Sequence, residues 1–234
     1  MPDGEKDLLL AFTQRNQLNL PDFDDLSEGK GIIILLCGPP GVGKTLTAES
    51  VAERSRVPLY TLRASDLGTN PALVEKTLNS ALECCRLWNA ILLIDEADVF
   101  MEKRSSERLA QNEHVSSKFT HGRLKGVMFL ATNQANTIDP AFRSHIDLIL
   151  PYPDLTRESR EQIWRAFLET ILLAHSFSDE HFNELADADL NGRDIKNVVK
   201  IARFAAGSRG VLLGMEHLRT IIGIKERAAL ATRT

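Results

Sequence analysis

Two hydrophobic rhythms alternate along the chain. Short apolar runs rich in β-branched residues recur at "GIIILLC" (31–37), "VPLYTL" (57–62), "AILLID" (90–95), "GVMFLATN" (126–133) and "IDLILPY" (146–152). Apolar runs of this length predict strands buried on both faces. Between them, "KTLTAESVAERS" (44–55) and "NPALVEKTLNSALECCRLW" (70–88) read as helices. In the second, Leu73, Val74, Leu78, Leu82 and Cys85 keep helical spacing, Asn70 stands as N-cap and Pro71 takes the first helical position. "DPAFR" (139–143) predicts a further short helix, capped by Asp139 with Pro140 behind it. Strands alternating with helices predict an α/β fold, a parallel sheet flanked by helices.

After Pro153 the pattern changes. From Thr156 onward only helical segments follow: "RESREQIWRAFLETILLAH", "SDEHFNELADAD", "GRDIKNVVKIARFAAG" and "GMEHLRTIIGIKERAAL". The expected organisation is an N-terminal helix and acidic linker (1–30), an α/β core (31–155) and a small all-helical lid subdomain (156–234).

Composition narrows the function classes. The 234 residues are enough for a sizeable core, and 43% hydrophobic with 26% charged residues reads as globular. The formal net charge of -4 lacks the basic excess of a nucleic-acid binder, so no nucleic-acid partner is expected. Cys37, Cys84 and Cys85 match no disulfide framework or metal-ligand spacing and read as small core hydrophobes. That suits a reducing compartment, cytoplasmic or nuclear. No stretch approaches the roughly 18 apolar residues of a membrane span, and the charged N-terminus has too short an apolar run for a secretory signal.

The chemistry begins at "GPPGVGKT" (38–45), a full match to G-x-x-x-x-G-K-[ST] between a strand and a helix. Its residues Gly38, Pro39, Pro40, Gly41, Val42, Gly43, Lys44 and Thr45, with Leu46 behind them, form the candidate phosphate cradle. Glycines let backbone N–H groups approach phosphate oxygens, and the helix N-terminus adds positive partial charge. Lys44 is placed to reach the β- and γ-phosphates, and Thr45 to offer its hydroxyl to Mg²⁺. "ILLIDEAD" then ends a buried strand on Asp95, the candidate Mg²⁺ residue, followed by Glu96, the candidate base that polarises the attacking water. The letters "DEAD" invite a helicase reading. A helicase of that type needs two such α/β domains to grip nucleic acid, and this chain has room for one.

With "GPPGVGKT", "ILLIDEAD", "LATN" and "NGRDIKN" in this order, the chain resembles the AAA+ ATPases over nearly the whole of their core module. Its wording is closest to the AAA ATPases of filamentous fungi, through "EGKGIIILLCGPPGVGKTLTAES", "WNAILLIDEADVFMEKR" and "YPDL". The resemblance implies further roles. Asn133 matches the sensor-1 residue that helps place the water, and Arg193 matches sensor 2, reaching from the lid to the nucleotide. The linker around Asp24, Asp25 and Leu26 resembles the segment beside the adenine. It also implies a ring of identical subunits, expected as a nucleotide-dependent hexamer, acting on a protein substrate. The module starts almost at the first residue, which predicts a chain without the N-terminal domain that usually selects substrates.

Two segments depart from the family. Where the trans-acting arginine is expected after "DPA", the chain reads "DPAFRSHIDL". Arg143 stands two positions before the usual place in the fungal relatives, and His145 occupies it. Arg143 is the expected finger, because it stays ionised and offers a planar fork of donors. The loop after the second strand, "SDLGTNPALVEK", lacks the aromatic residue of protein-threading motors. His114 and His121 lie in a polar stretch and read as a solvated face rather than a metal site. The leading expectation is Mg²⁺-dependent ATP hydrolysis coupled to remodelling of a partner protein. The alternative is a nucleotide-binding switch or degenerate ATPase with weak hydrolysis. A DNA-remodelling role is disfavoured by the acidic balance.

Overall fold

The computed structural model describes residues 3–14, 31–63, 66, 71–98, 126–134, 138, 143–171 and 177–231. They fall into two compact units, one of residues 1–39 with 43–152, the other of residues 40–42 with 153–234.

The first unit is built on five strands: β1 (Ile32–Cys37), β2 (Leu59–Arg63), β3 (Ile91–Asp95), β4 (Val127–Thr132) and β5 (Leu148–Pro151). All pairings are parallel, in the order β2-β3-β4-β1-β5. Among the described residues three helices flank the sheet: α1 (Asp3–Gln14), α2 (Lys44–Ser55) and α3 (Pro71–Trp88). Alternation along β1 shows why the apolar runs are continuous. Ile33, Leu35 and Cys37 pack with Val74, Leu78 and Leu82 of α3. Ile34 and Leu36 pack on the opposite face with Leu9 of α1 and Ala48 and Val51 of α2. Each buried residue of β1 therefore finds apolar partners on whichever face it points to. Truncating a fully buried side chain such as Phe129 to alanine is expected to cost about 3–5 kcal/mol.

Two strands start two residues inside their apolar runs. β2 starts at Leu59, not Val57. Arg56 closes α2 at φ 54°, and Pro58 has no N–H; its carbonyl accepts from Ile91 N–H at 2.9 Å and the ladder begins behind it. β5 starts at Leu148. The preceding Asp147 donates its N–H to the Ile33 carbonyl at 3.0 Å, and its carboxylate accepts the Ile33 N–H at 2.7 Å. A side chain thus replaces one rung of the ladder.

The second unit contains α4 (Arg157–Ile171), α5 (Asp179–Asp187), α6 (Gly192–Ser208) and α7 (Met215–Ala231). Trp164, Leu168, Phe182, Leu185, Ile195, Val198 and Leu218 form its core. Local signals set the helix starts. Ser178 caps α5 reciprocally with His181, and Asn191 caps α6 by accepting the Asp194 N–H at 2.9 Å. Arg165 lies over the Phe182 ring at 4.3 Å from its centroid and pairs with Asp179 at 2.7 Å.

Candidate active site

The sheet order brings three strand ends side by side. β4 lies between β1 and β3, and Cys37 stands opposite Thr132 at the carboxyl edge. The glycine-rich loop leaves β1 there, Asn133 follows β4, and Asp95 ends β3. Ligands of open α/β sheets bind at this edge.

Gly38 opens the loop under a close constraint. A Cβ on it would lie 2.1 Å from the Tyr152 carbonyl oxygen, so no other residue fits. Gly43, at φ 105°, is the N-cap of α2 and has no side chain with which to cap it. No acidic residue stands in the first turn. The first N–H groups of a helix lack intrahelical acceptors, so this uncapped end suits an anion.

Lys44 is 7% exposed. Its ammonium donates to the carbonyls of Gly38 and Pro39, both at 2.7 Å, and to Asn133 Oδ1 at 2.9 Å. Loop, helix and β4 therefore share one cation. The Thr45 hydroxyl donates to Asp95 Oδ2 at 3.0 Å, and the Glu96 N–H donates to Asp95 Oδ1 at 3.0 Å. Thr45 and Asp95 thus juxtapose two hard oxygen ligands, a donor set that fits Mg²⁺.

Glu96 itself is exposed and sits at φ 57°, in the left-handed region that β-carbon sterics disfavour. Its neighbours hold it there. Ala97 N–H donates to the Ala131 carbonyl at 2.9 Å, and the buried Thr132 hydroxyl donates to Asp98 Oδ1 at 3.2 Å. The same hydroxyl accepts the Gln134 N–H at 3.0 Å, so the turns after β3 and β4 are tied together around Glu96 and Asn133.

Tyr152 is a contributor that sequence reasoning missed. Its hydroxyl donates to Thr47 Oγ1 at 2.7 Å and its N–H to the Cys37 carbonyl at 2.7 Å, which fixes α2 and the loop to the end of β5. Burial pushes its phenol above the ordinary value, against the hydrogen bond to Thr47. Burial likewise raises the Cys37 thiol, opposed by the charges of Lys44 and Arg143.

The remaining expected residues are placed less closely. Arg143 is exposed, its carbonyl accepts the Ile146 N–H at 3.2 Å, and its side chain makes no hydrogen bond or ion pair among the described residues. His145 is half-buried. Leu46 is 62% exposed. Pro40, Gly41 and Val42 group with the helical unit, where the Gly192 N–H donates to the Gly41 carbonyl at 2.8 Å. Arg193 comes next in the chain, exposed in the first turn of α6. Asp24, Asp25, Leu26, Asn70, His114, His121, Asp139 and Pro140 lie outside the described residues, as does most of the "SDLGTN" loop.

Comparison with known proteins identifies the family. The sequence profile of the "ATPase family associated with various cellular activities (AAA)" matches residues 34–153. The chain is 31% identical, over 80% of its length and 25% of the relative's, to the "ATP-dependent zinc metalloprotease FTSH 3, mitochondrial" of Oryza sativa subsp. japonica. It is 29% identical, over 85% of its length and 37% of the relative's, to the "ATP-dependent zinc metalloprotease FtsH 2" of Bdellovibrio bacteriovorus. It is 29% identical, over 74% and 35% respectively, to "Fidgetin-like protein 1" of Drosophila melanogaster. The matched span is thus well under half of each relative. The zinc-binding His-Glu-x-x-His pattern of a metalloprotease does not occur in this sequence. What is shared is the nucleotide module, and AAA ATPases use ATP with Mg²⁺. With the profile spanning the phosphate loop, Asp95, Glu96 and Asn133, the chain belongs to the AAA family of ATPases.

Proposed function

We propose that the chain hydrolyses ATP at the carboxyl edge of its sheet and uses the reaction to remodel a partner protein. The observation that carries this is the convergence of Lys44, Thr45, Asp95 and Asn133 through bonds of 2.9–3.0 Å, with Glu96 directly beside them. The triphosphate lies against the first turn of α2. Lys44 exchanges its carbonyl and Asn133 contacts for phosphate oxygens. Thr45 and Asp95 hold Mg²⁺, which supplies charge neutralisation at the phosphates. Glu96 takes the proton of a water whose oxygen bonds to the γ-phosphorus as the bond to the β–γ bridging oxygen breaks, giving ADP and phosphate. Asn133, released from Lys44, orients that water.

Two further cations complete the reading. Arg143 serves the nucleotide of a neighbouring subunit, and Arg193 reports its state to the helical lid. AAA proteins typically form oligomeric rings, and a nucleotide-dependent hexamer fits a site that needs an arginine from outside. Free Cys37, Cys84 and Cys85 suit a reducing cytoplasmic or nuclear setting.

Glu96→Gln tests the assignment. The amide keeps the shape but cannot take the proton. ATP affinity by calorimetry should stay within about threefold, while steady-state turnover falls by about 10²–10⁴. Turnover near that of the wild type would remove Glu96 from the role of base.

A further inference from the structure

The helical unit carries a groove of about 710 Å³ between α4 and α6. Phe167 of α4 and Phe204 of α6 supply its apolar walls, and Lys196, Lys200 and Arg203 stand along it on α6. These cations lie at i, i+4 and i+7, one stripe of the helix surface. Among the described residues, no acidic side chain lines the groove. We infer that this groove docks an acidic segment of a partner protein, held by an aromatic or leucine anchor.

Three observations carry the inference. Phe204 is 82% exposed, although the unit buries Trp164, Phe182 and Leu185 almost completely. A phenyl ring left in water beside a half-buried second ring is a ready anchor site. The second observation is charge. Arg157, Arg165 and Arg219 of the same unit each pair with a carboxylate at 2.6–2.7 Å. Lys196, Lys200 and Arg203 form no ion pair or hydrogen bond among the described residues. Three cations unpaired among the described residues, along an apolar slot in a chain of net charge -4, are complementary to carboxylates and mismatched to a basic partner.

The third is Gly207, which lies in the last turn of α6 and lines the groove. Glycine inside a helix is unfavourable relative to alanine. Yet a Cβ here would meet nothing within 4 Å, so internal packing does not require the glycine. Nor does helix termination, because Gly210, at φ 67°, already supplies the left-handed residue beyond α6. What the missing Cβ provides is room on the outer surface. An apolar trough with a basic stripe and a glycine gap matches an amphipathic helix laid in a groove.

The test uses the full chain and two synthetic peptides of about 12 residues, each with Phe and Leu on one helical face. One carries Glu at its remaining positions and the other Lys. Fluorescence anisotropy should show the acidic peptide binding and the basic one not. Phe204→Ala, at an exposed position, should weaken binding by about tenfold or more with an unchanged circular dichroism spectrum. Lys200→Glu with Arg203→Glu should reverse the preference toward the basic peptide. Gly207→Ala should weaken binding by about threefold while the fold is retained. Absence of acidic-peptide binding, equal binding of both peptides, or insensitivity to Phe204→Ala would overturn the inference. So would a fall in assembly mass by light scattering on Phe204→Ala with peptide binding intact, which would make the groove a contact between copies. Binding of a single-stranded oligonucleotide in preference to the acidic peptide would overturn it as well.

Discussion

Lys44 and Arg143 are both felt at Cys37, the last residue of β1, yet the chain treats them in opposite ways. Lys44 is withdrawn from solvent and shared among two loop carbonyls and Asn133. Arg143 is exposed, and its guanidinium has no hydrogen bond or ion pair among the described residues. A buried ammonium needs such bonds to offset its lost hydration. An exposed guanidinium keeps its hydration and stays available. Under the proposed function, the contrast separates a cation held ready for a substrate of its own chain from one displayed to a neighbouring subunit.

The largest effect should come from the held cation. Lys44→Ala removes the side chain aimed at the phosphates and should abolish measurable ATP binding by calorimetry. Unchanged affinity would mean that the buried ammonium is only structural. The displayed cation should act differently. Arg143→Ala should bind ATP normally and turn over about 10³-fold more slowly or worse. Adding Lys44→Ala subunits, which keep Arg143 but not the nucleotide, should restore part of the activity. If Arg143→Ala keeps full concentration-dependent turnover and His145→Ala loses it, the role passes to the histidine.

The smallest effect concerns what holds the loop near Lys44. Tyr152→Phe deletes the 2.7 Å bond to Thr47, whose hydroxyl still donates to the Gly43 carbonyl at 3.1 Å. The cost should be about 1 kcal/mol, or about 2–4 °C in Tm, with turnover nearly unchanged. The pH dependence has a definite sign. Burial raises the Tyr152 phenol, so the unfolded chain loses that proton first, near pH 10. Native stability should therefore fall as pH rises through about 10 in the wild type, and less so in Tyr152→Phe. A thermal melt series across pH 9–11, compared between the two, checks it.

How far the sequence could be read depends on how local each signal is. The helix over residues 44–55 was legible to the residue, because the glycine-rich turn precedes it and the next apolar run, "VPLYTL", follows within two residues. The alignment of the phosphate loop, Asp95 and Asn133 followed from each standing at the end of an apolar run. Hydrogen bonds between Tyr152 and Thr47, 105 residues apart, and between Ile33 and Asp147, 114 apart, left no such trace. Nor did the capture of Lys44 by Asn133, since a motif assigns a side chain to its ligand and is silent on its other contacts. The same limit hid the groove. The sequence shows an apolar residue at 204, but only packing shows that the face it lies on is uncovered.

The left-handed backbone at Glu96 bears on the evolutionary history of the site. Holding a non-glycine residue at φ 57° costs about 1–2 kcal/mol, which the surrounding turns must supply. Glycine at that position would relieve the strain and remove the carboxylate in one substitution. A lineage released from selection for hydrolysis would therefore gain thermal robustness by drifting to glycine there. Glutamate at position 96 is the opposite choice, a stability cost of the kind that Arg56 and Asn89 also carry, placed here on the residue that the proposed reaction needs.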